Sequence, residues 1–284
     1  MSSGMKLGTV LIGLLALGAC DRTTFADKPD PLGQNVIDDA GLNDLLLTAG
    51  DPEYSVSYFQ NALAKEPNRA DLRRGLAISL NRAKRFPESA RVYQELIALG
   101  QADPADQLDY GFVAVRLGKW DEAGAIDRSL PGGLNSARRH LLSAMVADNG
   151  QQWGIADAAY ARAETLATNP ADVLNNWGVS QMSRGDLKRA EQVFERALSF
   201  NSRLFSAKNN LAISRGLQGD YNLPLVPMTE TEKATILNNL GLIATRKGDI
   251  NQARGLFAAA VDTHPQHYAA AADRLAALDG KVEN

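Results

Sequence analysis

The amino-acid sequence predicts an all-α fold, a right-handed α-solenoid of helix-turn-helix repeats closed by a C-terminal capping helix. Three observations lead there. A large residue, a Leu-small pair, two spaced alanines and an aromatic recur at intervals near 34 residues along most of the chain. Gly-Asp pairs fall at the same place in three of these units, at Gly185-Asp186, Gly219-Asp220 and Gly248-Asp249. No alternating apolar-polar run with hairpin signals appears anywhere, so no sheet is expected. With 284 residues, 45% of them hydrophobic and 22% charged, the chain is long and apolar enough to bury a core.

The N-terminus reads as a targeting segment. Leu7 to Ala19 is uncharged and mostly apolar, and Lys6 precedes it. A membrane-spanning helix needs about 20 apolar residues, so this run is too short to be one. A short apolar core after a positive residue, ending in small residues, is a secretory signal. Residues 1–19 are therefore expected to form a signal peptide. Leu17-Gly18-Ala19-Cys20 resembles the lipobox of bacterial lipoproteins, in which the cysteine thiol receives a diacylglyceryl group. Cys20 is the single cysteine, so no internal disulfide and no multi-cysteine metal site is available. The competing reading is an ordinary signal sequence with an unmodified cysteine. Met5 is the alternative start, since it makes Lys6 the second residue of a compact signal.

Residues 20–35 carry Asp, Lys, Thr, Pro29 and Pro31 with little apolar content and read as a flexible tether. At about 5–6 Å × √n, its length gives a reach of ~20 Å from the bilayer. Three acyl chains at ~0.8 kcal/mol per buried methylene would hold the chain almost irreversibly. Asp21 directly after Cys20 is the residue that favours inner-membrane retention in enteric bacteria. The expected location is thus periplasm-facing and lipid-anchored at the outer membrane, with the inner membrane as the alternative that Asp21 leaves open.

The solenoid is expected over 36–284. The unit at 171–204 fits the repeat best, with Leu174, Trp177-Gly178, Gly185-Asp186, Ala190, Phe194 and Ala197 in place. The unit at 234–267 matches with Leu237, Leu240-Gly241, Ala253, Phe257, Ala260 and Pro265. Units at 36–69 (Leu42, Phe59, Ala62, Pro67), 70–103 (Leu76-Ala77, Phe86, Tyr93) and 137–170 (Ala144, Trp153, Ala156, Tyr160, Ala163) keep the phase. The unit at 104–136 is slightly short and closes on Pro131-Gly132-Gly133. The unit at 205–233 is irregular. Its first helix is present, but Pro224 and Pro227 forbid a regular second one. Thr229 and Glu232 then form a capping box for the next helix. Residues 268–279 supply the cap that terminal repeats require. This pattern resembles the tetratricopeptide repeat, and the aromatics at its core positions are packing residues.

Catalytic chemistry finds no foothold. The sequence holds no Gly-rich phosphate loop, nucleophile elbow or zinc-protease helix motif. His264 and His267 flank Pro265 in an inter-repeat turn, where polarity rather than metal binding explains them. Asp71 and Glu88 lie near arginines and read as solvated helix faces. Formal charge is −3 with no basic block, so no nucleic-acid footprint exists. The expectation is a non-enzyme with no catalytic residue, no metal, no cofactor and no small-molecule substrate.

One polar constellation recurs. Asn175-Asn176, Asn209-Asn210 and Asn238-Asn239 place an amide pair at repeat positions 5 and 6 in three consecutive units. Those positions belong to the first helix of each pair, which lines the concave face of such solenoids. A side-chain amide offers both donors and an acceptor, so a ladder of them can hydrogen-bond the backbone of an extended peptide. Val179, Ile213 and Leu242, at position 9, would flank the ladder. The alternative is that these asparagines cap or pack locally. The two-Pro segment at 222–228 is expected to bend the solenoid, cover the groove, or present Leu225 and Val226 to a partner.

Five stretches carry a family resemblance. They are Leu45-Leu46-Leu47-Thr48-Ala49-Gly50-Asp51-Pro52, Asn175-Asn176-Trp177-Gly178, Phe205-Ser206-Ala207-Lys208-Asn209-Asn210-Leu211, Leu223-Pro224-Leu225-Val226-Pro227-Met228-Thr229 and Asp262-Thr263-His264-Pro265-Gln266-His267. Through them the chain resembles TadD-type tetratricopeptide-repeat lipoproteins of the Flp (tight-adherence) pilus assembly system. The resemblance implies an accessory, pilotin-like role, helping an outer-membrane secretin reach the membrane, multimerise or stay stable. It implies a protein partner, a secretin or another pilus component. It supplies no individual binding residue. An adaptor for a periplasmic protease or cell-wall enzyme is the competing role for the same architecture.

Overall fold

The structure, a computed structural model, describes residues 41–279. The expected signal peptide, Cys20, the tether and residues 36–40 lie outside them. The described residues form two compact units, 41–173 and 174–279. Among them are fourteen α-helices and no strand.

In the first unit the helices run as pairs. α1 (Leu42–Thr48) pairs with α2 (Pro52–Lys65), α3 (Ala70–Arg82) with α4 (Phe86–Ala98), α5 (Pro104–Arg116) with α6 (Trp120–Ser129), and α7 (Ala137–Asn149) with α8 (Trp153–Leu166). α9 (Ala171–Ser183) begins at the boundary. In the second unit α10 (Leu187–Phe200) is followed by α11 (Phe205–Leu217), α12 (Glu230–Lys247), α13 (Ile250–Thr263) and the cap α14 (Ala269–Asp279). α1 begins at Leu42, with Gly41 at its N-cap taking φ 65°. α12 starts four residues before its repeat, at the cap predicted for it.

Six of the turns inside repeats share one recipe, the α1–α2 turn at Gly50 being the exception. Position 15 is left-handed at Lys84, Gly118, Gln151, Gly185, Gly219 and Gly248, with φ between 53° and 93°. The following N–H then reaches back five residues, as from Arg85 to Leu80 O (2.9 Å) and from Asp249 to Ala244 O (2.9 Å). This closes the orphan carbonyls of the helix end. Glycine adopts that backbone freely; lysine and glutamine do so at a cost.

Small residues let the paired helices touch. A Cβ added at Gly178 would run into the Phe194 ring, and one at Gly241 would lie 2.7 Å from the Phe257 ring. Positions 8 and 24 of a repeat are therefore a matched pair. Position 20 is a fully buried Ala in Ala123, Ala156, Ala190 and Ala253. In the first two repeats the same place holds Ser55 and Ser89, also fully buried. Their hydroxyls donate to carbonyls of the partner helix, Leu46 O at 3.0 Å and Ala77 O at 2.8 Å, so neither is an unpaired polar group. The core of the first unit gathers Phe59, Leu72, Leu80, Tyr93 and Leu96. That of the second gathers Ile236, Leu240, Leu256, Phe257 and Leu278.

The irregular repeat lacks a second helix. From Gln218 to Thr229 the chain runs as turns and extended backbone. It is pinned at each end. Tyr221 Oη donates to Asp249 Oδ2 at 2.5 Å, and Leu223 and Met228 pack onto the core of the second unit. Pro224 is buried and Val226 N–H closes a tight turn on its carbonyl at 2.9 Å, which leaves Leu225 wholly exposed. At the far end Glu232 N–H donates to Thr229 Oγ1 (3.1 Å) and Thr229 N–H to Glu232 Oε2 (2.9 Å), the predicted capping box. Glu232 also receives Lys208 Nζ at 3.0 Å, and that lysine is only 3% exposed. The buried ion pair ties α11 to the start of α12 where a helix would otherwise have joined them.

Candidate functional site

The six ladder asparagines all come from α9, α11 and α12, within the second unit. Helical spacing puts positions 5 and 9 on one face, and position 6 beside them. The structure brings the rungs together by hydrogen bonds between repeats. Asn210 Nδ2 donates to Asn175 Oδ1 at 3.1 Å, and Asn239 Nδ2 donates to Asn209 Oδ1 at 2.7 Å. The position-6 amides of α11 and α12 thus each serve the position-5 amide of the preceding repeat. Arg274 completes the series from the cap. Its Nη1 donates to Asn238 Oδ1 at 2.7 Å and to Ala270 O at 2.9 Å.

Sequence reasoning missed Arg274. The available signal was an arginine at position 7 of the closing segment, where the repeats carry Trp177, Leu211 and Leu240.

Burial divides the ladder. Asn175, Asn176 and Asn238 are about 5% exposed or less, while Asn209, Asn210 and Asn239 are half-buried. Val179, Ile213 and Leu242 are half-buried as well, and Ile213 and Leu242 pack against the core of the second unit. The solvent-facing part of the constellation is therefore Asn209, Asn210 and Asn239 beside three aliphatic side chains. An amide has two donors and one two-lone-pair acceptor, so one bond between repeats leaves each of these three with capacity to spare.

In the first unit two side-chain joints across first helices are ionic, whereas the second unit combines the amide bonds with the Lys208–Glu232 pair. Arg74 clasps Asp106 at 2.7 and 2.8 Å, and Asp106 is 1% exposed. Arg138 pairs with Asp109 and lies 5.2 Å above the Phe112 ring.

The remaining sequence candidates fall in less concentrated places. His264 Nδ1 lies 2.9 Å from Gln266 O, its ring stacks on Tyr268 at 4.8 Å, and His267 is exposed. Among the described residues no group of three or more His, Cys, Asp or Glu is arranged to hold a metal ion. Asp71 pairs with Arg69 and Glu88 with Arg85 on open helix faces. The Arg85 guanidinium holds the Glu88 carboxyl below its ordinary range. No described helix is long and apolar enough to cross a membrane.

With this geometry in hand, the likeness to known proteins is specific in kind. Residues 44–106 and residues 234–267 match models of the tetratricopeptide repeat. The fold is a tetratricopeptide-repeat fold. Among solved structures the chain is similar to a chain of the APC/C hetero-tetramer Cut9-Hcn1, with a TM-score of 0.58 and 14% identity, over 83% of this chain and 48% of that one. It spans about half the length of that protein. It is also similar to a tetratricopeptide repeat protein from Parabacteroides merdae, with a TM-score of 0.55 and 13% identity, over 85% of this chain and 96% of that one. No curated protein matches the sequence. Tetratricopeptide repeats make protein-protein interaction scaffolds, and the asparagine face is the place on this one where polar and apolar groups converge along successive repeats.

Proposed function

We propose that this chain is a non-enzymatic, lipid-anchored scaffold of tight-adherence pilus assembly, pilotin-like in action. It holds an extended segment of a secretin or another pilus component against α9, α11 and α12. The observation that carries the reading is the half-buried series Asn209, Asn210 and Asn239 beside Val179, Ile213 and Leu242. Amides address the ligand backbone without reading its sequence, and the aliphatic residues bury its side chains. Acylation of Cys20 would deliver the captured segment to the membrane, with Asp21 leaving open which membrane. The family resemblance in the two-Pro segment and the 262–267 run supports the assignment to the pilus system.

Changing Val179, Ile213 and Leu242 together to Gln tests the reading, with helicity as the control because Ile213 and Leu242 also touch the core of the second unit. Helicity by circular dichroism should persist while the amount of multimeric secretin in the membrane falls. Unchanged secretin multimers with an intact variant would refute it. Separately, Cys20→Ser should move the protein from the membrane fraction to the soluble periplasmic fraction. Retention after a salt wash would contradict lipidation.

A further inference from the structure

We infer that the asparagine face takes an uncharged peptide segment in the polyproline II conformation, one turn of ligand per repeat. The inference rests on the peptide-binding reading above and specifies its ligand.

Charge comes first. At positions 5, 6 and 9 of α9, α11 and α12 the face presents six asparagines, a valine, an isoleucine and a leucine, and none is charged. Position 2 adds Ser206 on α11 and Thr235 on α12, and on α9 it carries Asp172, the one charge among these positions. Arg274, which meets the last rung, directs its Nη1 to Asn238 Oδ1 and the Ala270 carbonyl. Lys208 on α11 is buried against Glu232. Along α11 and α12, where positions 2, 5, 6 and 9 are all uncharged, a ligand with charged side chains would have to lose hydration with no opposite charge in return.

Spacing comes second. The direct bonds from Asn210 to Asn175 and from Asn239 to Asn209 put α9, α11 and α12 in side-chain contact. Helices in contact lie about 8–10 Å apart. A ligand running across them must therefore present the same face once in each such interval. A β-strand returns to the same face every two residues, about 6.6–6.8 Å. An α-helix returns every turn, about 5.4 Å. A polyproline II helix returns every three residues, about 9.3 Å, and of the three only this period fits. It also makes no internal hydrogen bonds, so its carbonyls and amides are available to Asn209, Asn210 and Asn239. The apolar side chains of the ligand then fall at i, i+3 and i+6, opposite Val179, Ile213 and Leu242.

The probe is an uncharged, end-capped nonapeptide of three Pro-Ala-Leu triplets, labelled for fluorescence anisotropy and titrated with the full-length protein in detergent. Two controls have the same length. One places the leucines at every second residue, and the other replaces each alanine by glutamate. The triplet peptide should bind at least about tenfold more tightly than either control. Its affinity should hold within about twofold between about 0.05 M and about 0.5 M salt, because screening acts only on charge. Ile213→Gln should abolish the preference for triplet spacing while leaving helicity unchanged. Equal binding of the two-residue-spaced or the glutamate peptide, a tenfold loss with salt, or no binding of the triplet peptide overturns the inference. The peptide-capture reading fails by a different result, namely secretin multimers that are indifferent to the loss of all three aliphatic residues.

Discussion

Asn210 donates to Asn175 and Asn239 donates to Asn209, so each of these amides is a strut between repeats before it is anything else. Asn210→Ala strips the donor from the buried Asn175 oxygen and should cost about 1–3 kcal/mol in urea unfolding. This is why the aliphatic flank, rather than the ladder, is the cleaner place to test binding. The Lys208–Glu232 pair has the same asymmetry. Glu232→Ala removes a cap and leaves a buried ammonium uncompensated, a loss of about 3–5 kcal/mol. Lys208→Met removes the buried charge itself and leaves the partly exposed carboxylate its cap, so it should cost far less. Equal losses for the two variants would contradict the burial argument. Two tyrosines set an alkaline limit. Burial first, and then the neighbouring carboxylates of Glu122 and Asp249, push Tyr110 and Tyr221 up to about 12 from an ordinary 10.0. A raised tyrosine pKa means stability that is complete below pH 10 and lost as pH rises through about 12. The Tyr110→Phe, Tyr221→Phe double variant should flatten that fall in a series of urea melts, whereas an unchanged slope would show that other groups cause it.

At the scale of helices and turns, a left-handed position 15 recurs in six repeats, including those at Lys84 and Gln151. Replacing an exposed lysine there by glycine relieves about 1–2 kcal/mol of backbone cost and returns about 0.5–1 in chain entropy. Lys84→Gly should therefore raise stability by roughly 0.5–1 kcal/mol. A drop would mean that the side chain has a role the backbone argument omits. Gly241→Ala works the other way, since its methyl meets the Phe257 ring. Overpacking of about 1–3 kcal/mol should outweigh the helix propensity gained, about 0.8–1.0 kcal/mol. The helices were legible because a repeat writes its small and large positions many times over. Ser55 and Ser89 hid position 20 in the first two units, for a serine there looks polar until the partner carbonyl is seen. In the two-Pro segment the loss of a helix followed from proline alone. The pinning by Tyr221, Leu223 and Met228, and the outward Leu225, depend on packing that spacing does not encode.

Each unit is built by stacking, so a repeat is stabilised mainly by its neighbours. Such architecture offers extended faces rather than deep cavities, which suits capture of a chain segment. The candidate site was half legible on this scale. Three Asn pairs in phase announce a polar track, since identical positions in successive repeats align. Which amide meets which, and that Arg274 closes the series, depends on the offset between neighbouring helices, which the linear pattern leaves open. The central claim is that the face around Asn210 holds a pilus component in the cell. Placing a photo-crosslinking residue at position 210 and identifying the trapped protein by mass spectrometry tests it most directly. The account predicts an adduct with the secretin or another pilus component, through an uncharged segment of that partner. An adduct with a periplasmic protease or cell-wall hydrolase would contradict the pilus assignment and make the chain an adaptor, and no adduct from a folded, membrane-bound protein would contradict the binding face itself.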